Sequence, residues 1–211
     1  MKICIVGTTQ SGSTRLFNLV RMLYELEGNR VLSMWNYDNK VVKNKDDYDV
    51  ILSKVHDCKL EYLKDFDKVL LPVRDVIDSA ISNNKRFGSD IKGRCLRNIY
   101  LINKFEKVCD MKFRYERYSV SHIMRLCKVL GLKEKSVLEI MGIMKELEGM
   151  LNDKNIVLKD NYKDDKYRRT LLTQGHNTSG GLSNKYVNEL SMAELEALLN
   201  DEKIRDFIMK Y

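Results

Sequence analysis

No two of the five cysteines in this 211-residue chain stand at a spacing that suits a disulfide framework or a zinc site. Cys4, Cys58, Cys95, Cys109 and Cys127 are scattered, several among apolar neighbours where a thiol packs as a small hydrophobe. That usage points to a reducing compartment, and the chain is expected to be cytoplasmic. No apolar run is long enough to cross a bilayer, so no membrane span is expected. A strand is expected from the first residues on, and no cleavable signal is expected. Proline occurs once, as Pro72, and no internal repeat is visible. One compact domain over residues 1–211, with a full core, is the expectation.

Charge is unbalanced, at a formal +7 with 37 Lys and Arg against 30 Asp and Glu. A polyanionic ligand suits that excess. Lys85, Arg86, Lys92, Arg94 and Arg97 form a basic run that could attract phosphate or sulfate groups. No nucleic-acid motif accompanies it, and no nucleic-acid partner is expected.

The first 20 residues carry the strongest local pattern. Ile3 to Val6 read as a short buried strand, Gly7 to Gly12 as a polar turn bounded by glycines, and Leu16, Leu19, Val20, Leu23 and Leu26 recur at helical spacing. Strand, turn and helix together make an anion cradle, because free backbone N–H groups at the helix start point into the turn. A tight strand-to-helix turn without a ligand has the same local pattern. Gly7 and Gly12 keep the spacing of a nucleoside-triphosphate loop, but Ser13 and Thr14 follow where that loop has Lys and Ser or Thr. The missing lysine disfavours ATP or GTP hydrolysis. Ser11, Ser13 and Thr14 can still bind a phosphate.

Further strands are expected at 31–34, 50–55, 68–73 and 112–115. Helices are expected at about 60–66, 76–85, 90–108, 119–130 with Gly131 as a stop, and 136–150 with Val137, Ile140, Met141, Met144 and Leu147 packed in the core. Asn36 to Asp49 reads as a polar excursion, and Asn152 to Asn184 as an irregular loop or lid. Ser191 and Glu194 form a capping box that starts the last helix, with Leu190 and Leu195 as its hydrophobic staple. Strands alternating with helices predict a three-layer α/β/α fold with a mainly parallel central sheet, of the kind found in P-loop NTPases. Ligands in such folds bind at the carboxyl ends of strands. The first turn, His56 and Arg74 all follow strands and should converge.

At the end of the strand at 68–73, Arg74, Asp78 and Ser82 follow at four-residue intervals and share one helix face. An arginine there could clamp a phosphate, or Arg74 and Asp78 could merely tie the helix start. Taken with the first loop, the pattern resembles the sulfotransferases that use 3′-phosphoadenosine 5′-phosphosulfate (PAPS). That family has a loop Lys-Ser-Gly-Thr-Thr for the 5′-phosphosulfate, here Gln10, Ser11, Gly12, Ser13 and Thr14. Its Arg and Ser for the 3′-phosphate match Arg74 and Ser82. Its Lys-Thr-His matches Lys54-Val55-His56, its Tyr-Glu near adenine matches Tyr115-Glu116, and its third glycine-containing loop falls at His176 to Gly181. The likeness spans most of the chain.

The resemblance implies a sulfotransferase acting on a small-molecule or carbohydrate acceptor, with PAPS as donor, adenosine 3′,5′-bisphosphate (PAP) as product and no metal. His56 would be the general base, and Lys54 would make up for the charge that Gln10 lacks. Arg15 stands where an aromatic residue often stacks on adenine. Ser179 and Gly180, or Arg168 and Arg169, would serve in the third loop. Two alternatives remain open: a sulfotransferase-like protein that binds a nucleotide without catalysis, and a nucleoside or nucleotide kinase.

Overall fold

The computed structural model describes residues 1–38, 45–153, 169–172 and 184–211. Five strands, β1 (Lys2–Val6), β2 (Val31–Trp35), β3 (Val50–Val55), β4 (Lys68–Val73) and β5 (Met111–Arg114), form one sheet in the order β2-β3-β1-β4-β5, and every pair is parallel. The layered parallel sheet expected from the sequence is the observed one. Helices α1 (Ser13–Leu26), α2 (Leu60–Leu63), α3 (Val76–Phe87), α4 (Ile91–Glu106), α5 (Val120–Val129) and α6 (Val137–Leu151) connect or follow the strands. Three helices, α7 (Tyr186–Glu189), α8 (Met192–Leu199) and α9 (Glu202–Lys210), end the chain.

A parallel strand covered on both faces needs apolar side chains in both directions. β1 shows this in five residues. Ile3 and Ile5 join Leu52, Leu70 and the inner faces of α1, α5 and α6. Cys4 and Val6 point the other way, among Val69, Leu71, Ile77, Ile102 and Phe105 beneath α3 and α4. All five cysteines are free thiols. α5 stops where Gly131 takes φ 69°, a left-handed conformation that a side chain would strain, and the Leu132 N–H reaches back to the Cys127 carbonyl at 3.0 Å.

Two expectations need correcting. On α6 the buried stripe is Ile140, Ile143, Leu147 and Leu151, while Val137 and Met141 are 52% and 53% exposed. Successive helix positions turn by about 100°, so Met141 points well away from the stripe centred on Ile140 and Leu147. The capping box of Ser191 and Glu194 is present, but the helix it starts is not the last. α8 ends at Leu199, and the Asp201 carboxylate, accepting from the Lys203 N–H at 3.2 Å, caps a separate helix, α9, whose Ile204 and Phe207 complete the second core. No helix among the described residues is long and apolar enough to cross a membrane.

Candidate active site

β1 leads outward through α1 to the edge strand β2, whereas β3 leads across β1 to β4. The connections diverge above β1, and a crevice opens at the carboxyl ends of the strands. Residues 7–12 line it. Gly7 N–H donates to the Val55 carbonyl at 3.1 Å, and the Ser11 hydroxyl donates to the Thr8 carbonyl at 2.7 Å. From α3, the Ser79 hydroxyl donates to the Thr9 carbonyl at 3.0 Å and the Asn83 amide to the Thr9 hydroxyl at 2.8 Å. The loop therefore has a fixed shape. It turns at Gln10 (φ 62°) and Gly12 (φ 82°). A Cβ on Gly12 would lie 2.4 Å from the Tyr115 ring, so only glycine fits.

Gly12 is also the N-cap of α1, which has neither a side-chain cap nor an acidic residue in its first turn. Ser13 and Thr14 are buried there. An anion beside that helix start would receive the N–H groups a capping side chain usually takes. Lys54 brings its ammonium to the same helix start from β3. It is 3% exposed, lies inside β3, donates from Nζ to the Thr14 hydroxyl and holds Nζ 5.4 Å from the centre of the Trp35 ring. Burial, with the charge of Arg86 as a lesser cause, pushes its pKa down to about 7.

His56 follows β3. Its Nδ1 lies 3.3 Å from the Gly7 carbonyl. A carbonyl only accepts, so the proton of the neutral ring sits on Nδ1 and the lone pair on Nε2. Burial first, and then the positive charge of Lys54, push its pKa down to about 3, against the opposing effect of the Gly7 hydrogen bond. The imidazole is neutral near pH 7. Trp35 packs edge-on against it at 4.9 Å.

Arg74 and Asp78 are 6% and 0% exposed, with their closest charged atoms 3.9 Å apart. Arg74 also donates to the Gln10 carbonyl at 3.5 Å, which joins the two regions into one crevice. Asp78 does more than pair. Its carboxylate accepts the N–H groups of Asn184 and Lys185 at 2.7 and 2.6 Å, fixing where the chain re-enters before α7. The Lys185 ammonium then donates to the Ser82 hydroxyl at 3.0 Å. Burial, followed by the charge of Arg74, pushes the Lys185 pKa down to about 8. Lys185 was not read from the sequence. It stands 103 positions from Ser82, and no local spacing reports such a contact.

Tyr115 begins a single 3₁₀ turn after β5, with its ring 4.8 Å from the Arg74 guanidinium and 5.2 Å from that of Arg15. Arg15 also lies over Tyr118 at 5.0 Å and is bonded through both terminal nitrogens to the Glu148 carboxylate of α6. Its charge is thus engaged on the α6 side, with its flat face toward the aromatic rings. Glu116 accepts the Asp75 N–H at 2.7 Å and so ties the start of α3 to β5. Ser179, Gly180 and Arg168 lie outside the described residues. Arg169 is within them and pairs with Glu25 at 2.9 Å. No cluster of His, Cys, Asp and Glu among the described residues is placed to hold a metal ion.

No family model matches the sequence, and no curated protein does. Solved structures do. A mouse sulfotransferase, SULT7A1, complexed with PAP aligns with a TM-score of 0.68 at 13% identity, over 100% of this chain and 88% of that one. Retinol dehydratase with androsterone and the inactive cofactor PAP aligns at 0.65 and 14% identity, over 97% and 80%. Retinol dehydratase with retinol and PAP aligns at 0.64 and 14%, over the same shares. The chain has the sulfotransferase fold. At the carboxyl ends of its strands this chain brings together its first loop, Lys54, His56, Arg74 and Tyr115.

Proposed function

We propose that this chain transfers a sulfuryl group from PAPS to a hydroxyl or amine of a small-molecule or carbohydrate acceptor, and that it works in a reducing, cytoplasmic compartment. The observation that carries the reading is the joining of two cationic regions in one crevice through the Arg74–Gln10 contact. One consists of the uncapped start of α1 with Lys54 beneath it. The other consists of Arg74, Ser82 and Lys185. A doubly phosphorylated adenosine has anionic groups at both ends of its ribose, and the residues present fit it.

Bound PAPS would supply an electrophilic sulfur to an acceptor oxygen or nitrogen, with PAP as the leaving group. His56 takes the acceptor's proton on Nε2. Lys54 and the N–H groups of α1 would hold the phosphate on which negative charge accumulates, where preorganised donors act strongly. Gln10 hydrogen-bonds but carries no charge, which is the feature that favours a binding-only protein. Lys54, reaching Thr14 of the same loop, offsets it. A kinase reading is weakened by Ser13 in the lysine position.

The direct test is twofold. PAP is expected to raise the melting temperature while ATP with magnesium does not, and labelled sulfate is expected to move from PAPS to some member of an acceptor panel. Stabilisation by ATP with magnesium alone would support the kinase, and PAP binding without transfer to any acceptor would support the binding-only protein.

The role of Arg74 has its own readout. Arg74→Met is expected to weaken PAP by about tenfold to a hundredfold, the worth of a charge-assisted contact to phosphate. Adenosine 5′-monophosphate, which lacks the 3′-phosphate, should bind almost unchanged. Equal weakening of both, measured by calorimetry, would remove Arg74 from the 3′-phosphate.

A further inference from the structure

The basic run on α3 and α4 is mostly spent on carboxylates. Lys85 pairs with Glu189, Lys92 with Asp201 at 3.1 Å, and Arg97 with Asp57. Arg94 differs. Its contact is a hydrogen bond to the Thr9 hydroxyl at 3.5 Å, and among the described residues it forms no ion pair. Arg94 is nevertheless closely located. One helical turn onward, Arg97 holds Asp57, the neighbour of His56, while Arg94 itself reaches Thr9 in the loop whose Gly7 carbonyl holds the His56 ring. The guanidinium is therefore bracketed beside His56, and its charge is felt there, disfavouring the imidazolium.

Resting on the sulfotransferase reading, we propose that Arg94 receives an anionic group on the acceptor, so that the preferred acceptor is a hydroxyl or amine compound that already bears a carboxylate, sulfate or phosphate. The half-exposed guanidinium can rotate from its long contact with Thr9 to a bidentate one with an anion. Trp35, 41% exposed, flanks His56 from β2 and offers an apolar surface to the body of the same acceptor. A neutral acceptor would offer the guanidinium no counter-charge, which penalises it relative to its charged analogue.

The test uses the PAP-loaded protein and two matched pairs: 4-hydroxyphenylacetate against 2-(4-hydroxyphenyl)ethanol, and methyl β-glucuronide against methyl β-glucoside. Calorimetry is expected to show the carboxylate member binding about tenfold or more tighter within a pair. Arg94→Gln should bring the pair to parity, Arg94→Lys should keep part of the preference, and PAP affinity should be unchanged in both variants. Parity in the unaltered protein, a preference that survives Arg94→Gln, or binding of neither pair overturns the proposal. A loss of PAP affinity in Arg94→Gln assigns the guanidinium to the donor and overturns it too. Failure of PAP to bind the unaltered protein sinks the sulfotransferase reading itself, a result separable from these.

Discussion

Replacing His56 by alanine is expected to lower sulfate transfer by about a hundredfold to ten-thousandfold, the usual worth of a positioned general base, and to leave PAP affinity in place. The separation follows from geometry. His56 contacts the loop through Nδ1 and the Gly7 carbonyl, and its Nε2 is the atom left with a lone pair. Gly7 keeps its own N–H bond to the Val55 carbonyl, so the loop does not depend on the ring. His56→Gln, with an amide N–H that can still donate to the Gly7 carbonyl but no basic nitrogen, should be as inactive as His56→Ala. Transfer by either variant at the unaltered rate would remove His56 from the proton's path. The pH dependence carries a second check. A ring with its pKa near 3 stays neutral through the physiological range, so the acid limb of the rate should not fall near pH 6.5, where an unperturbed histidine titrates.

The same depression has a consequence for stability. An unfolded histidine takes up its proton near pH 6.5, the folded one only near pH 3, so the unfolded chain binds more protons between those values. Stability contributed by His56 is complete above about pH 6.5 and is lost as the pH falls toward 3.

Much of the frame was legible because it follows from local periodicity. Ile3 to Val6 is apolar on both faces, and Val50 to Val55 opens on three apolar residues and is buried throughout, as central parallel strands must be. The turns that follow them, at Gly7, His56 and Arg74, meet at one end of the sheet because all the strands run the same way. What escaped is carried by contacts between distant segments. Asp78 does pair with Arg74, as their spacing allows, but its shorter bonds hold the main chain at Asn184 and Lys185, which no spacing reports. Arg15 stands in the first loop's reach by sequence, and the Glu148 that α6 supplies to its guanidinium comes from 133 positions away. Ser79 and Asn83 lie beside Ser82 on α3 and hold Thr9, a role no spacing announces. The misread stripe of α6 has a related cause. Methionine and valine count as apolar in any pattern, and which of two adjacent stripes is buried is decided by α1 and α5 packing against it.

Lys54 gives the most demanding prediction, because its effects on rate and on stability have opposite signs. Lys54→Met should reduce transfer by about a hundredfold to a thousandfold, the cost of removing one preorganised donor from a developing charge. The same change should make the protein more stable. An ammonium held inside β3 with 3% exposure is costly, as its depressed pKa records, and a methionine of similar length fills the space without the charge. The gain depends on pH in a defined direction. Between about pH 7, where folded Lys54 titrates, and about pH 10.5, where an unfolded lysine does, the unfolded chain binds more protons, so the stability of the unaltered protein rises with pH. The advantage of Lys54→Met is therefore greatest below pH 7 and shrinks toward pH 10, and denaturant melts at several pH values would show it. Nucleotide binding supplies the link between the two effects. A phosphate beside Nζ favours the charged form, so PAP binding near pH 8 should draw a proton from solution, with Lys185 contributing to the uptake. Calorimetry in buffers of different ionisation enthalpy should find that uptake reduced in Lys54→Met. Uptake equal to that of the unaltered protein would mean that the nucleotide does not meet Lys54, and an inactive Lys54→Met protein would then owe its loss to the shape of the loop and not to the missing charge.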